Sequence, residues 1–386
     1  MHRLPASCRT RDLIETEQAL AEVVTELQSA TRVGLDTEGD GFFRYRARLC
    51  TVQLSTADSA YVIDTLRVEP APLCELLADT GPTKIVHDAG FDAKLLAERG
   101  VPLGRVFDTS VAARFLGEAQ TGLSALVRKH LGVELPKEHQ RADWGKRPLA
   151  PESLAYLLND VRYLIPLAEQ LLDRCRRKDI ETEVDEECLY VLHQATHRAE
   201  PTKPAWRRIR GAVELDRTQQ ARLQQLVRVR ERFARDRDVP AFRILVNSVL
   251  LRLARSAPQD VQAVRRTLGS AQTPGLAYAV VESLKGVRAD ACSVDSEDQA
   301  TPMPSPAERA RRRRCAKTLS AWRDRIARER RVDAQAVLPG HCLRDLCTLR
   351  PPSLDELSQI QGLGRVRAER YGTTLLALLA SSCTGE

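Results

Sequence analysis

The hydrophobic and polar positions of the chain follow two different periods. Up to about residue 180, short runs rich in β-branched and apolar residues alternate with stretches of helical periodicity. Five short runs are predicted strands: RVGLDTEG (32–39), LCTVQLST (49–56), AYVIDT (60–65), KIVHDAG (84–90) and RVFDTSV (105–111). The links between the first three are too short for crossover helices, so these strands are predicted to pair antiparallel, with parallel strands added later. This part of the chain is therefore predicted to form an α/β domain with a mixed sheet.

From about residue 200 the strand signal disappears and the pattern is helical throughout. Shifting the chain by 93 residues aligns QLVRVRERFARDRDVPAFRIL (225–245) with TLSAWRDRIARERRVDAQAVL (318–338), and the identities include Leu226 with Leu319. Amphipathic helices of similar composition also produce such matches, which is the alternative explanation. We predict two copies of one helical module. The predicted domains are 1–200 for the α/β part, 201–287 and 307–386 for the modules, and 288–306 for a polar linker.

The charge of the chain divides along the same boundary. Lys and Arg together number 59 against 52 Asp and Glu, but residues 1–200 carry 25 basic and 32 acidic side chains, a net of −7. Residues 201–386 carry 34 basic and 20 acidic side chains, a net of +14. The excess of 50 Arg over 9 Lys can come from codon usage, but the change of sign cannot. A basic second half indicates an anionic partner such as a nucleic acid.

Composition excludes several other classes of protein. With 43% hydrophobic and 29% charged residues, the chain is neither disordered nor membrane-embedded, and no apolar run approaches the roughly 20 residues of a membrane helix. The N-terminal residues lack the apolar core of a signal peptide, so we expect a cytoplasmic protein without a membrane partner. The ten cysteines form no Cys-x-x-Cys pair, so neither a zinc knuckle nor a disulfide framework is predicted.

Candidate chemistry rests on acidic residues at strand and helix ends. Asp36 and Glu38 lie two apart on the first predicted strand, so both carboxylates project from one face and can converge on a cation. The same pattern also occurs in many loops without a function. Asp88 and Asp92 follow the fourth predicted strand, where an acid at the start of a helix is explained by the helix dipole alone. Each signal is weak by itself.

A third segment completes the pattern. Tyr156 and Asp160 lie four apart and share one face of a predicted helix, although a buried Tyr–Asp hydrogen bond would explain them equally well. Taken in order, the segments resemble the DEDD exonuclease superfamily in its tyrosine-bearing subgroup, and within it the ribonuclease D family. The matching segments are LDTE (35–38), RLCTVQLS (48–55), VHDAGFDAKLL (86–96), FDT (107–109), ADWGKRPL (142–149) and YLLNDVRYL (156–164).

The resemblance covers essentially the whole chain and implies a fold and an activity. It implies a ribonuclease H-like mixed-sheet exonuclease domain followed by two all-α HRDC modules, which are helical nucleic-acid-binding domains. The implied activity is 3′-to-5′ hydrolysis of RNA to nucleoside 5′-monophosphates with two divalent cations, Mg²⁺ or Mn²⁺, and no organic cofactor. Such cations prefer carboxylate and water oxygens. The implied substrates are the 3′ ends of tRNA precursors or other small structured RNAs.

The resemblance also implies roles for individual residues. Asp36, Glu38 and Asp160 would hold one cation, Asp36 would also bridge to the second, and Asp92 would help to hold the second. Tyr156 would orient and help to deprotonate the attacking water, and its ordinary pKa near 10 makes positioning by a hydrogen bond at least as plausible as full general-base action. The Gly-Asp-Gly at 39–41 departs from the apolar or aromatic residue of many relatives, which leaves the contact with the terminal nucleotide open.

Candidate contacts with nucleic acid lie in two places. Gly362 and Gly364 precede a predicted helix, and Arg365 and Arg367 follow, so the turn offers backbone N–H groups and charge to a phosphate. A tight interhelical turn is the alternative. Phe91, or alternatively Phe42 or Phe43, is predicted to flank a terminal base. Two other functions stay open: a DNA 3′-5′ exonuclease in repair, because the 2′-OH contacts are not visible in sequence, and a non-catalytic RNA-binding scaffold.

Overall fold

A computed structural model provides the coordinates of the chain. It describes residues 9–10, 13–136, 142–197, 204–269, 273–288 and 305–381. Most of the predicted linker at 288–306 lies outside the described residues.

A single mixed sheet organises the first half of the described chain. Its strands are β1 (Arg9–Thr10), β2 (Arg32–Gly39), β3 (Leu49–Ser55), β4 (Ser59–Asp64), β5 (Thr83–Val86) and β6 (Val106–Asp108). The strand order is β1-β4-β3-β2-β5-β6. β2, β3 and β4 pair antiparallel, and β5 and β6 are added in parallel, which confirms the predicted mixed sheet. β1, which pairs in parallel with β4, was not predicted because two residues carry no periodicity.

The alternation of side chains along β2 determines which groups face the site. Leu35 and Thr37 are buried on one face of the sheet, whereas Asp36 and Glu38 point to the other face and are partly exposed. The register against β3 shifts between Glu38 and Gly39, so the regular pairing ends there. The two carboxylates therefore stand side by side at the carboxyl end of a central strand.

Eight helices of the described chain surround this sheet. They are α1 (Glu17–Gln28), α2 (Cys74–Leu77), α3 (Ala89–Ala97), α4 (Thr109–Phe115), α5 (Leu123–Leu131), α6 (Pro151–Arg162), α7 (Leu164–Arg177) and α8 (Glu181–Thr196). α6 contacts β2, β3 and β4. At Gly34 of β2, a Cβ atom would clash with the hydroxyl of Ser55 on β3. The Ser55 hydroxyl donates to the carbonyl oxygen of Val161 at 2.9 Å. This hydrogen bond holds α6 against the sheet at Val161, the residue that follows Asp160.

The rest of the described chain is helical and forms two similar modules. The first helical module, residues 204–288, contains α9 (Arg217–Asp236), α10 (Ala241–Ile244), α11 (Asn247–Ser256), α12 (Val261–Leu268) and α13 (Leu276–Leu284). The second helical module, residues 305–381, contains α14 (Pro306–Arg330), α15 (Ala334–Val337), α16 (Gly340–Leu349), α17 (Leu354–Ser358) and α18 (Arg365–Ser381). α10 and α15, α11 and α16, and α12 and α17 each begin 93 residues apart, as the self-alignment predicts.

The chain divides into two compact units. One contains residues Met1–Gly39, Leu49–His197 and Pro304–Glu386, so the second helical module packs together with the α/β domain. The other contains Asp40–Arg48 and Arg198–Met303, so the β2–β3 connection packs with the first helical module. Tyr45 of that connection donates from its hydroxyl to Glu231, and its backbone N–H donates to Asp238. No helix among the described residues is long and apolar enough to span a bilayer.

Candidate active site

Three carboxylates from two elements converge at the carboxyl end of β2. One ligand oxygen from each of Asp36, Glu38 and Asp160 lies within 4.8 Å of the others, and this is the only group of metal-ligand type found in the described part of the chain. Within that part no lysine or arginine forms an ion pair with any of the three. Clustered negative charge without a basic partner is costly unless a cation offsets it. Hard oxygen ligands in this number fit Mg²⁺ or Mn²⁺.

The fourth acid lies beside this group on the first turn of α3. Asp92 is 2% exposed, and its Oδ1 accepts a hydrogen bond of 2.6 Å from the hydroxyl of Thr37 on β2. Thr37 thereby ties α3 to the strand that carries Asp36 and Glu38. Thr37 carries no signal in the sequence, because a buried threonine in a strand has no special spacing.

The start of α3 is fixed by a carboxylate from β6. Asp108 accepts hydrogen bonds from the backbone N–H groups of Asp88, at 3.1 Å, and Ala89, at 2.8 Å. It also caps α4 by accepting from the backbone N–H of Ser110 at 2.8 Å. Asp88 itself has a φ of 73° and serves as the N-cap position of α3. Asp108 therefore positions the helix that carries Asp92.

Tyr156 and Asp160 both project from α6 and interact with each other. The phenol hydrogen-bonds to the Asp160 carboxylate, and the ring stacks on Trp144 with centroids 5.8 Å apart. The loop that carries Trp144 is held by Arg147, whose guanidinium pairs with Asp64 and donates to the carbonyl oxygen of Trp144 at 2.7 Å. The ADWGKR segment (142–147) thus holds the ring of Tyr156 in place through the stacking of Trp144.

Burial raises the pKa of all four acids, and neighbouring carboxylates raise the pKa further for Asp36, Glu38 and Asp92. Burial raises the pKa of Glu38 to about 8, with further increases from the charges of Asp160 and Asp92. Burial also raises the pKa of Asp92 to about 7 and that of Asp160 to about 6. For Asp36, burial and the three neighbouring carboxylates raise the pKa well above its ordinary value. The site therefore holds protons near neutral pH until a cation replaces them.

These shifts predict that cation binding depends on pH. Since the folded-state pKa values lie above the unfolded ones, the metal-free fold loses stability as pH rises through the range of about 6 to 8. A divalent cation requires the ionised carboxylates, so Mg²⁺ should raise the melting temperature more at about pH 8.5 than at about pH 6. Thermal melting with Mg²⁺ or EDTA at both pH values measures this effect. An equal Mg²⁺ shift at both values would contradict proton competition at this site.

The Gly-Leu-Gly turn of the second helical module has a different partner from the one expected. Gly362 and Gly364 have φ values of 76° and 77°, and a Cβ atom at either would clash with His341 and Tyr190 or with Glu186. Glu186 of α8 accepts from the backbone N–H of Val366 at 3.0 Å. A carboxylate of the protein itself thus takes the position at the start of α18 that was predicted for a phosphate.

Arg367 is also engaged inside the protein. Its side chain is fully buried, pairs with Glu186 at 3.3 Å, and donates to the carbonyl oxygens of Ala336, Leu363 and Glu183. The phosphate contact predicted for Arg367 is therefore wrong, because this side chain is buried and joins the second module to α8. Gly362 and Gly364 are partly exposed, Arg365 is exposed and pairs with Glu369, and Phe91 is 51% exposed. The RNA contacts predicted for these four residues stay predictions.

A network of acids along α8 extends this contact. Glu183, only 1% exposed, accepts from the guanidinium groups of Arg330 and Arg370, and Asp179 just before α8 also pairs with Arg370. These arginines belong to the basic half of the chain. Part of the positive charge in residues 201–386 is therefore neutralised within the protein.

Comparison with protein families places this site and fold in a class. The model of the 3′-5′ exonuclease family matches residues 12–176, which include the four acids and Tyr156, and the model of the HRDC domain matches residues 219–273 and 312–379. The protein is therefore a 3′-5′ exonuclease with two HRDC domains.

Relatives that match two thirds or more of the chain define the family more narrowly. The chain is 32% identical over 263 residues to ribonuclease D of Desulfotalea psychrophila, covering 67% of this chain and 70% of that one. It is 33% identical over 307 residues to ribonuclease D of Gluconacetobacter diazotrophicus, covering 76% and 77%. The chain belongs to the ribonuclease D family and is a 3′-5′ exoribonuclease. The crystal structure of Escherichia coli RNase D has the same fold, with a TM-score of 0.71, 23% identity and coverage of 96% and 98%.

Proposed function

We propose that this exoribonuclease hydrolyses RNA from the 3′ end by a two-cation mechanism at Asp36, Glu38, Asp92 and Asp160. The observation that carries the proposal is the convergence of three carboxylates without a basic partner, beside a fourth that Thr37 holds. Two divalent cations, when bound, supply a nucleophile from water at neutral pH and offset the charge on the leaving 3′ oxygen. The products are nucleoside 5′-monophosphates, because the bond to the 3′ oxygen breaks.

Each acid has a proposed part in holding the cations. Asp36, Glu38 and Asp160 would hold the cation that activates the attacking water. Asp36 would also help to hold the second cation, together with Asp92. The hydrogen bond from the Thr37 hydroxyl fixes the orientation of the Asp92 carboxylate. Such partners behind a ligand orient it and raise affinity for the cation.

Tyr156 is proposed to position the attacking water rather than to remove its proton. Burial and the charge of Asp160 raise the pKa of the phenol above its ordinary value, so it stays protonated. The hydroxyl can donate to Asp160 while a lone pair accepts a hydrogen bond from the water. Trp144 restricts the ring to this orientation by stacking.

This role predicts a particular result for Tyr156→Phe. We expect kcat to fall by about 10²-fold, the lower end of the range for such groups, because the water loses one of its hydrogen-bond partners. The alkaline limb of the kcat pH profile should remain, since no phenolate takes part. Single-turnover rates on a short RNA between about pH 6 and pH 10 measure both quantities. Disappearance of an alkaline-side ionisation in the variant would assign proton abstraction to the phenol.

The physiological substrates are proposed to be tRNA precursors or other small structured RNAs in the cytoplasm. The family supports RNA as substrate, and the basic first helical module supports an extended contact with it. A 5′-labelled RNA and the matched DNA, each with Mg²⁺ or EDTA, test the class of substrate. Stepwise shortening of RNA that EDTA abolishes is the expected result. Faster shortening of DNA would assign the enzyme to repair, and no shortening of either would make it a scaffold.

The proposed domains are 1–200, 201–287 and 307–386, with a linker at 288–306. The end of α13 at Leu284 and the beginning of α14 at Pro306 support these boundaries. The second HRDC domain is proposed as a fixed extension of the exonuclease domain, supported by the buried pairs between α8 and α18.

A further inference from the structure

One face of α9 in the first helical module carries a row of arginines. Arg228, Arg232 and Arg235 are exposed and lie at positions i, i+4 and i+7, so they share a helix face. The helical rise separates them by about 6 Å and about 4.5 Å along the axis. None of the three forms an ion pair with a carboxylate in the described part of the chain. We call these three residues the arginine row.

Grooves lie on both sides of the arginine row. One, of about 360 Å³, is bounded by Pro204, Ala205 and Trp206. The other, of about 560 Å³, is bounded by Ala279 and Ser283 of α13, and both grooves share Arg228 and Arg232. The indole Nε1 of Trp206 is buried and has no acceptor among the described residues. The arginine row therefore forms a ridge on the surface between these two grooves.

Two of the carboxylates near the ridge already have partners. Glu231 accepts from the Tyr45 hydroxyl and from the guanidinium of Arg230. Glu282, in the second groove, pairs with Lys285 at 2.5 Å. Aromatic rings support two of the guanidinium groups: Arg232 lies over Phe233 at 5.5 Å, and Arg235 lies over Tyr45 at 5.7 Å. Stacking holds a guanidinium in place and leaves its N–H groups available to an anion.

The second helical module does not repeat the row. With the 93-residue offset, Ala321 replaces Arg228, and the residue that corresponds to Arg232 is Arg325, which pairs with Glu329 at 3.3 Å. Arg330 and Arg367 of that module face α8 and its carboxylates. The two modules therefore differ in what their arginines contact, although they share one fold.

We propose that the arginine row binds the phosphate backbone of the RNA substrate and supplies sequence-independent affinity apart from the catalytic carboxylates. This proposal rests on the proposed function, because it concerns the same RNA. Three guanidinium groups in line match a run of phosphates, which Arg binds through paired N–H donors. The ridge contacts the backbone, and the open grooves leave room for sugars and bases without selecting a sequence.

The test uses the full chain with Arg228, Arg232 and Arg235 all changed to Gln. Binding of a single-stranded RNA of about 20 nucleotides is measured against KCl concentration with Asp36→Asn also present, so that the RNA stays intact. Each lost phosphate contact should reduce the slope of log affinity against log salt by about 0.7, which gives a reduction of about 2 for three contacts. The matched control changes Arg255, Arg265 and Arg266 to Gln, removing equal charge from α11 and α12 of the same module.

The outcomes separate this proposal from the proposed function. The triple variant, with Asp36 restored, should hydrolyse a trinucleotide at the wild-type rate and show a raised KM only for the longer RNA. An unchanged salt slope, or a slope change equal to that of the control, would overturn the arginine row while leaving the exonuclease intact. Absence of cation-dependent RNA hydrolysis in the wild type would instead overturn the proposed function. All six changed arginines are exposed, so circular dichroism should show unaltered helix content.

Discussion

Changing Asp36 to Asn is expected to abolish RNA hydrolysis while leaving the chain folded. Asp36 lies at the centre of the carboxylate group, and charges from Asp92, Glu38 and Asp160 all act on it. Loss of a partner behind a metal ligand costs 10- to 100-fold in activity or affinity, so loss of a ligand itself should cost more than about 100-fold. Single-turnover hydrolysis of labelled RNA with saturating Mg²⁺ measures the loss.

The same substitution should raise the stability of the metal-free chain. Asn removes one of the mutually repelling carboxylates, so the melting temperature in EDTA should increase at about pH 8, and the Mg²⁺-dependent increase should shrink. Asp58→Asn is the matched control, since Asp58 is an exposed acid in the turn between β3 and β4. Wild-type hydrolysis by Asp36→Asn would remove Asp36 from the cation site. Equal loss in Asp58→Asn would point to a general charge effect.

Changing Arg367 to Met is expected to destabilise the protein strongly without reducing its affinity for RNA. The substitution leaves Glu186 without its buried partner and three carbonyl oxygens without their donor. Breaking a buried pair from one side costs about 3–5 kcal/mol. At roughly 2–4 °C per kcal/mol for units of this size, the melting temperature should fall by on the order of 10 °C.

Arg365→Met is the matched control two residues away. Its side chain is 85% exposed and, among the described residues, forms an ion pair only with Glu369 on the same helix. Its removal should therefore change stability by less than about 0.5 kcal/mol. Thermal melting and RNA binding of both variants give the comparison. If Arg367→Met melted like the control and bound RNA more weakly, the Gly-Leu-Gly turn would be a phosphate site after all.

The candidate site residues could be predicted in part, because some of their signals are local. Asp36 and Glu38 share a face through the two-residue period of a strand, and Tyr156 and Asp160 share one through the helical period. Only the resemblance to a family joined these segments, and the structure then places their side chains together. Thr37 and Gly34 could not be predicted, because their importance comes from contacts with Asp92 and α6, which lie far away in sequence.

The arginines show the limit of local signals most clearly. Arg365 and Arg367 stand in one short motif, yet one is exposed and the other is fully buried against α8. Periodicity assigns residues to helix faces but does not reveal which face another element covers. Arg228 and Arg232 of α9 carried no motif, and their exposure without a carboxylate partner became visible only in the folded chain.

The sequence by itself determined the mixed α/β domain and the repeated helical module, because period and spacing are properties of the chain. It predicted the four acids and their tyrosine through the resemblance to a family. The tertiary structure decided which arginines remain available to bind an anionic partner. Glu183 and Glu186 neutralise arginines of the second module, while the arginine row of the first module has no such partner in the described chain. The physical reason is that the effect of a charged group depends on its burial and on its ion-pair partners. In the folded chain such partners come from positions about 180 residues apart in the sequence.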